Sequence, residues 1–464
     1  MASTRNTLSG ATPTPLETGP PTKRHSVLVS GAHTVLTNIF QVFGVFVTTA
    51  LLARRLGPAG KGVYDVYLSA SMLLSSLLGF SLNSGISYSV SSTRVNVGKV
   101  LRAIWGIVIA VALLGGCVCF AFQYLPSSRL LIPVELGKLG ILLVVVSVAS
   151  LTLAALWRAV VVGQRHFLQA NFGDIAKQVA MVIALVVLLR LVARTHLVIW
   201  AIGCNIIAIC TAAAMYRRAV DWHEDDPTAG AGMRRAARFS VPSHLANISQ
   251  FLNARMDVFF VYHFWGASSV GLYQVGVMVA QAVNMIPQAT QAVLFPTISA
   301  RPSAHEESAL MIARANRMLL AFGFVGGLFI AAIAPFAIPL VLGPKFRPST
   351  LALLLLLPGC VTLIATNVTA AYFAGIGRPD LNFRSSMFGL FATVVLDIAL
   401  IPHWNFYGAS IASSVSYAVT TIVQVVLFKR ETALSLRAIL VPTLKDLSDA
   451  KQLVSVFAAR FRAA

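Results

Sequence analysis

Residues 27–52 read VLVSGAHTVLTNIFQVFGVFVTTALL and contain no Asp, Glu, Lys or Arg. A helix of about 20 apolar residues is long enough to cross the hydrocarbon core of a bilayer. The run is followed at 53–62 by a short basic connection rich in glycine, ARRLGPAGKG, and a second apolar run begins at Tyr64. This stretch therefore predicts two membrane-spanning helices with a short connection between them.

The rest of the chain repeats this pattern. Hydrophobic residues make up 57% of the 464 residues and charged residues 11%, and the mean hydropathy is +0.78. Such a composition leaves too little polar surface to cover a soluble domain, so the bilayer is the expected solvent. We predict twelve spans, which lie near 27–52, 64–91, 103–124, 137–160, 173–192, 196–216, 241–264, 270–298, 318–342, 350–374, 386–402 and 407–428.

The basic residues predict the orientation of these spans. Of the 36 Lys and Arg residues, 26 lie in the two tails and in alternate connections, whereas nine lie in the connections on the opposite side. Cytoplasmic loops of membrane proteins carry an excess of Lys and Arg. We therefore place both termini in the cytoplasm. The same bias explains the net charge of +20 without a nucleic-acid partner.

A weak internal repeat divides the spans into two halves. A shift of 209 positions aligns six identical residues within the same helix-connection-helix unit. The aligned pairs are Asn38 with Asn247, Gln41 with Gln250, Gly57 with Gly266, Gly62 with Gly271, Tyr64 with Tyr273, and Val66 with Val275. Span 1 thus corresponds to span 7, which predicts two six-helix lobes of the same topology.

The predicted fold is an all-α polytopic membrane protein with two lobes around a central cavity. Its parts are a disordered cytoplasmic tail at 1–25, an N-lobe of helices 1–6 at 26–216, a cytoplasmic linker at 217–240, a C-lobe of helices 7–12 at 241–428, and a basic cytoplasmic tail at 429–464.

Polar side chains form stripes along spans 1, 7 and 8. At 100° per residue, the polar residues of span 7 fall on an arc of about 120° and those of span 8 on an arc of about 100°. The stripe residues selected as the wall of a substrate-binding cavity are Asn38, Gln41, Asn247, Gln250, Asn253, Gln281, Asn284 and Gln288. Single polar residues in membrane helices often form hydrogen bonds between helices. Three long stripes in corresponding helices favour a hydrated cavity instead.

Arg255 and Asp257 are the ionisable residues deepest within a predicted span. Charged groups at membrane depth are costly, so they are candidates for a functional role. On a helix, two residues at this spacing point about 160° away from each other, and we do not assume that they pair. Arg255 is a candidate ligand for an anionic substrate, and Asp257 for a cation or a proton. An ion pair with a carboxylate on another helix is the alternative.

Other motifs predict no catalytic, cofactor or metal site. The five cysteines all lie in apolar runs, where small buried hydrophobic residues are common. The segment 57–62 resembles a phosphate-binding loop but lacks its spacing and the Ser or Thr after the Lys. The acidic cluster at 223–226 is predicted to be solvated. We therefore predict no cofactor and no enzymatic activity.

Residues 51–64, LLARRLGPAGKGVY, resemble the opening signature of Wzx-type polysaccharide flippases, which belong to the multidrug/oligosaccharidyl-lipid/polysaccharide (MOP) exporter superfamily. Residues 239–242, FSVP, and 270–273, VGLY, resemble the signature of the second half. The resemblance covers nearly the whole membrane part of the chain. It implies twelve helices in two lobes around a cavity, as in MATE-like transporters.

The resemblance also implies a function. Such proteins export an undecaprenyl-diphosphate-linked oligosaccharide across the bacterial inner membrane by alternating access, and basic residues are thought to meet the pyrophosphate. The implied partners are the lipid-linked oligosaccharide, membrane lipids and the polysaccharide polymerase machinery.

Other functions remain open at this stage. A multidrug cation exporter of the same superfamily is expected to carry an acidic residue in its first span, which residues 26–52 lack. A membrane glycosyl polymerase or ligase needs a larger external loop than any predicted here. A lipid II flippase shares the fold.

Overall fold

The computed structural model describes residues 22–92, 96–123, 133–191, 196–222, 232–299 and 305–443, and these ranges are almost entirely helical. The helices are α1 (Thr22–Leu78), α2 (Leu82–Ser92), α3 (Val97–Gln123), α4 (Gly137–Gly163), α5 (Phe167–Leu191), α6 (Leu197–Ala219), α7 (Met233–Gln281), α8 (Met285–Ser299), α9 (His305–Leu342), α10 (Ser349–Gly375), α11 (Pro379–Thr432) and α12 (Leu436–Leu440). Short 3-10 turns lie at Val134–Leu136, Ala282–Asn284 and Pro344–Phe346. Within these ranges, nine helical segments are long and apolar enough to cross a membrane. The all-α membrane fold is therefore as predicted.

Three of the long helices bend sharply and account for two spans each. α1, α7 and α11 each pass through one residue with non-helical backbone angles, which is Gly57, Gly266 or Asn405. Division at these bends gives twelve spans in the described part of the chain. The predicted connection between the first two spans is wrong, however, because residues 53–63 form helix on both sides of Gly57 instead of a loop. The chain therefore changes direction between the first two spans at one residue, Gly57.

Two predicted spans are themselves interrupted. The second, at 64–91, is divided between α1 and α2, where Phe80 and Ser81 have positive φ angles. The eighth, at 270–298, passes through the 3-10 turn Ala282–Asn284 and continues as α8. Continuous hydrophobicity predicts that a segment crosses the membrane but does not reveal where its helix breaks.

The internal repeat is visible in the backbone. Gly57 has φ 66° and ψ −177°, and its repeat partner Gly266 has φ 75° and ψ −178°. The turns after α4 and α10 also match, since Arg165 and Gly377 both have positive φ. In each turn, three successive amides donate to carbonyls four, three and five residues earlier. The two halves therefore share the same backbone conformation at these bends and turns.

Two repeat-related glycines lie where the lobes cross. A Cβ atom on Gly62 of α1 would lie 1.6 Å from the carbonyl oxygen of Ala267, and one on Gly271 of α7 would lie 2.1 Å from that of Pro58. Pro58 and Ala267 are themselves aligned by the shift of 209 positions. The contact is thus symmetric and joins backbone to backbone, so the pseudo-two-fold axis passes between the two glycines.

The boundaries of the lobes follow the helices. α6 ends at Ala219 and α7 begins at Met233, so the first C-lobe helix starts inside the predicted linker at 217–240. After α11, the short α12 docks on α9, where Asn316 Nδ2 donates a 2.9 Å hydrogen bond to the carbonyl of Ile439. Residues 1–21, the acidic cluster at 223–226 and residues 444–464 lie outside the described residues.

Candidate functional site

A carboxylate inside the C-lobe is held by hydroxyl groups from two other helical segments. Asp257, on the first half of α7, is buried. Its Oδ2 accepts hydrogen bonds from the hydroxyl of Tyr273, beyond the bend of α7, and from Ser413 Oγ of α11 at 3.2 Å. Its Oδ1 accepts from the backbone amide of Val258 at 2.7 Å. Three oxygen-bearing side chains therefore converge at one point.

A second carboxylate lies beside this cluster. Asp397 of α11 is fully buried, and neither of its oxygens has a hydrogen-bond partner among the described residues. It is close enough to Asp257 for the two carboxylates to interact electrostatically. α11 continues beyond Asp397 to its bend at Asn405. A buried carboxylate without donors requires a neutralising proton or cation, and carboxylate and hydroxyl oxygens suit either.

Arg255 lies two residues before Asp257 on α7 but forms no ion pair with it. It is half-buried and belongs to none of the ion pairs found within the described ranges. Its charge acts on Asp257 in its own lobe and on Asp65 in the other lobe. Arg255 is therefore a cation close to both lobes.

Asp65 already has a cationic partner. Lys61 lies one turn earlier on α1, and its ammonium group bonds to both carboxylate oxygens of Asp65. Both side chains are buried. We predicted a connection at 53–62 that contains Lys61, which is wrong because the helix resumes directly after Gly57 and carries Lys61 into the protein. Lys61, and not Arg255, is therefore the ion-pair partner of Asp65.

The structure separates the predicted stripe residues into two groups. Asn253 and Asn284 link helices of the C-lobe: Thr393 Oγ1 donates to Asn253 Oδ1 at 2.7 Å, and Asn284 Nδ2 donates to the carbonyl of Cys360 at 2.9 Å. Asn284 and Asp257 are buried and do not form an open wall. Gln41 is half-buried, and the exposed members are Asn38, Asn247, Gln250, Gln281 and Gln288.

One exposed stripe residue also joins the lobes. Asn247 Nδ2 of α7 donates a 3.0 Å hydrogen bond to Ser81 Oγ, at the break between α1 and α2. Next to it, the rings of Phe80 and His244 stack with centroids 4.3 Å apart. This contact lies on the membrane face opposite the bends at Gly57 and Gly266, so the lobes touch near both ends of their interface.

Comparison with known sequences relates the chain to glycan biosynthesis. A sequence model of the family described as "Polysaccharide biosynthesis protein" matches residues 51–351. The probable low-salt glycan biosynthesis flippase Agl15 of Haloferax volcanii is 23% identical over 193 residues. This alignment covers 41% of the present chain and 40% of that relative.

Solved structures share the fold. A lipid II flippase, MurJ, in an inward closed conformation has a TM-score of 0.68 at 13% identity, with 88% of this chain and 90% of that chain covered. An inward-facing multidrug resistance MATE transporter of the MOP superfamily has a TM-score of 0.62 at 13% identity, with 86% and 98% covered. The shared feature is the two-lobe architecture of MOP transporters.

Proposed function

Because the chain belongs to the polysaccharide biosynthesis protein family and has the fold of MOP transporters, we propose that it flips an undecaprenyl-diphosphate-linked oligosaccharide across a bacterial inner membrane. At a coarser level, the chain is a multi-pass membrane transporter of polysaccharide biosynthesis. In the proposed cycle, the two lobes rock about the crossing of Gly62 and Gly271 and expose the substrate to one face at a time.

The observation that supports this proposal most directly is the presence of a cation, Arg255, at membrane depth. A diphosphate must lose water as it crosses the bilayer, and a guanidinium group offers paired donors that match phosphate oxygens. Arg255 has no ion-pair partner among the described residues, and Lys61 already neutralises Asp65. A cation kept at membrane depth without an ion pair to a described carboxylate fits a transient anionic ligand.

The exposed amides account for the sugar part of the substrate. An oligosaccharide exchanges many hydrogen bonds with water, and each amide side chain supplies both donors and an acceptor in return. The exposed amides lie on the first helix of each lobe and on the helix that follows in the C-lobe; they are Asn38, Asn247, Gln250, Gln281 and Gln288. In our proposal they line the path of the sugar between the lobes.

Asp257 and Asp397 are proposed to take the coupling ion, either a proton or a small cation. Two neighbouring buried carboxylates repel each other, so binding of one positive charge stabilises the pair. The site lies between α7 and α11, and α7 also carries Arg255. Ion binding at Asp257 therefore acts on the same helix as substrate binding.

The membrane orientation and the partners complete the proposal. The excess of basic residues in alternate connections supports cytoplasmic termini. The bends at Gly57 and Gly266 then face the periplasm. The flipped oligosaccharide would be passed there to the polysaccharide polymerase machinery.

Replacement of Arg255 tests the role in substrate binding. Arg255→Ala should retain normal expression and membrane insertion but abolish export, and lipid-linked sugar should accumulate in the cell. Arg255→Lys should recover part of the export because the charge remains while the paired donors are lost. Arg347→Ala is the matched control, since Arg347 is an exposed arginine outside this site.

A thermal measurement on the same variants separates substrate binding from a structural role. If Arg255 is needed as a fixed partner of a carboxylate, Arg255→Ala should melt at a lower temperature in detergent. A second substitution at Asp257 or Asp397 should then restore the melting temperature. Full export by Arg255→Ala would overturn the proposed role.

A further inference from the structure

An arginine of the N-lobe caps the end of a C-lobe helix. Arg54 lies on α1, three residues before the bend at Gly57. Its Nε donates to the carbonyl of Val341 at 2.6 Å, and its Nη2 donates to the carbonyl of Leu340. α9 ends at Leu342, so these carbonyls belong to the last turn, where the helix itself supplies no amide partners. A cation is favourable at this end of a helix because the carbonyl dipoles point towards it.

A tyrosine of the C-lobe makes the reciprocal contact with the N-lobe. Tyr262 lies on α7, four residues before the bend at Gly266. Its hydroxyl donates to Glu135 Oε2 at 2.8 Å and accepts from the backbone amide of Val134 at 3.0 Å. Val134 and Glu135 belong to the 3-10 turn that directly precedes α4.

The two contacts are related by the internal repeat. A shift of 209 positions places Arg54 on His263, directly beside Tyr262. Each contact therefore starts at the end of the first helix of one lobe. Each also reaches the connection between the third and fourth helices of the other lobe, at α9 and α10 or at α3 and α4. The two contacts flank the crossing of Gly62 and Gly271. They lie on the membrane face that contains the bends at Gly57 and Gly266, which we call the bend face.

Apolar packing is incomplete next to the Arg54 contact. A cavity of about 140 Å³ lies between Phe46 of α1, Val279 of α7 and several α9 residues, including Ile330, Ile333 and Val341. Val341 thus lines the cavity and also accepts a hydrogen bond from Arg54. The pocket is partly open, so α1 and α9 leave apolar surface there that is not packed against the other helix, and the hydrogen bonds of Arg54 join the two helices beside it.

We propose that Arg54 and Tyr262 form two latches that hold the lobes together on the bend face, and that both must release for the interface to open there. This inference rests on the proposed alternating access, since a transporter that opens on this face must break both contacts. The two latches use different chemistry. Arg54 binds helix-terminal carbonyls through a permanent charge, whereas Tyr262 binds a turn through one hydroxyl group.

Cysteine labelling in a cysteine-free background tests the latches. Gln281→Cys is the reporter for the proposed cavity, because Gln281 is exposed and lies 15 residues beyond the bend at Gly266, about 22 Å along the helix. A membrane-impermeant maleimide is added on the side of the bend face, and labelling of Ala59→Cys identifies that side. Arg54→Gln should raise the labelling rate of Gln281→Cys several-fold, because the charge-assisted hydrogen bonds that join α1 to α9 are lost.

Matched variants make the labelling result specific. Arg55→Gln removes the same charge from the next residue, which is exposed, and should leave the rate unchanged. Tyr262→Phe removes a single oxygen and should raise the rate on its own. The double variant of Arg54 and Tyr262 should react faster than either single variant. If Arg54→Gln and Tyr262→Phe both label at the Arg55→Gln rate, the latches do not exist.

The labelling readout needs no substrate, so it separates this inference from the proposed function. Unchanged labelling together with normal export would contradict the proposed latches and support the proposed flippase function. Faster labelling in a protein that moves no lipid-linked sugar would support the latches and contradict the proposed function.

Discussion

Asp397 is a carboxylate buried without hydrogen-bond donors among the described residues, and its neighbour Asp257 is also a carboxylate. The native fold must neutralise this pair, so a bound cation should stabilise it. A ligand at about one hundred times its Kd adds roughly 2.7 kcal/mol to the free energy of unfolding. If sodium rather than a proton is the bound cation, the melting temperature of the wild-type protein in detergent should rise with sodium concentration.

The comparison salt and two variants complete this prediction. Choline at equal ionic strength should give a smaller rise in melting temperature, because it is too large to enter between the helices. Asp397→Asn and Asp257→Asn should each remove the difference between sodium and choline. Equal melting temperatures of the wild-type protein in the two salts would exclude sodium from this site.

The sequence revealed only part of this cluster. Arg255 and Asp257 stand out because charges are rare within apolar spans. Asp397 and Ser413 did not, since a hydrophobic pattern does not indicate which faces of distant helices meet. For Tyr273 the sequence contains one signal, because the repeat aligns it with Tyr64.

At the level of helices, the bends at Gly57 and Gly266 are the features most sensitive to substitution. Their φ and ψ angles lie in a region that only glycine adopts readily, and a side chain there costs about 1 to 3 kcal/mol. A Cβ atom at either position would meet no other atom within 4 Å, so the cost comes from the backbone alone.

Gly57→Ala and Gly266→Ala should therefore each lower the melting temperature in detergent. Gly106→Ala is the matched control, since Gly106 lies inside α3 with helical geometry and equally open space around its Cβ position. That substitution should be neutral or stabilising, because alanine favours a helix by about 1 kcal/mol over glycine. Equal melting temperatures for all three variants would contradict the assigned role of the bends.

The twelve spans were predictable, but the bends that replace three of their connections were not. Long apolar runs such as 27–52 identify a span by length and composition. The run of 53–62 contains glycine, proline and three basic residues, which together favour a loop. In the fold, however, the chain changes direction at Gly57 alone. Local composition does not distinguish one residue with unusual backbone angles from an extended connection.

At the level of the whole molecule, the weak repeat proved the most informative sequence signal. It predicted two related lobes, and the matching angles of Gly57 and Gly266 confirm that relationship. The repeat did not predict the contacts between the lobes. The hydrogen bonds of Arg54 join residues 286 and 287 positions apart, and they depend on where α9 ends.

Movement of a lipid-linked sugar by the purified protein tests the central claim most directly. An undecaprenyl-diphosphate-linked oligosaccharide is placed in the inner leaflet of liposomes, and its arrival in the outer leaflet is followed with an added glycosidase. Liposomes with the wild-type protein should expose the sugar to the enzyme, whereas those with Arg255→Ala should match protein-free liposomes. Equal exposure in wild-type and protein-free liposomes would contradict the proposal that this chain is a lipid-linked oligosaccharide flippase.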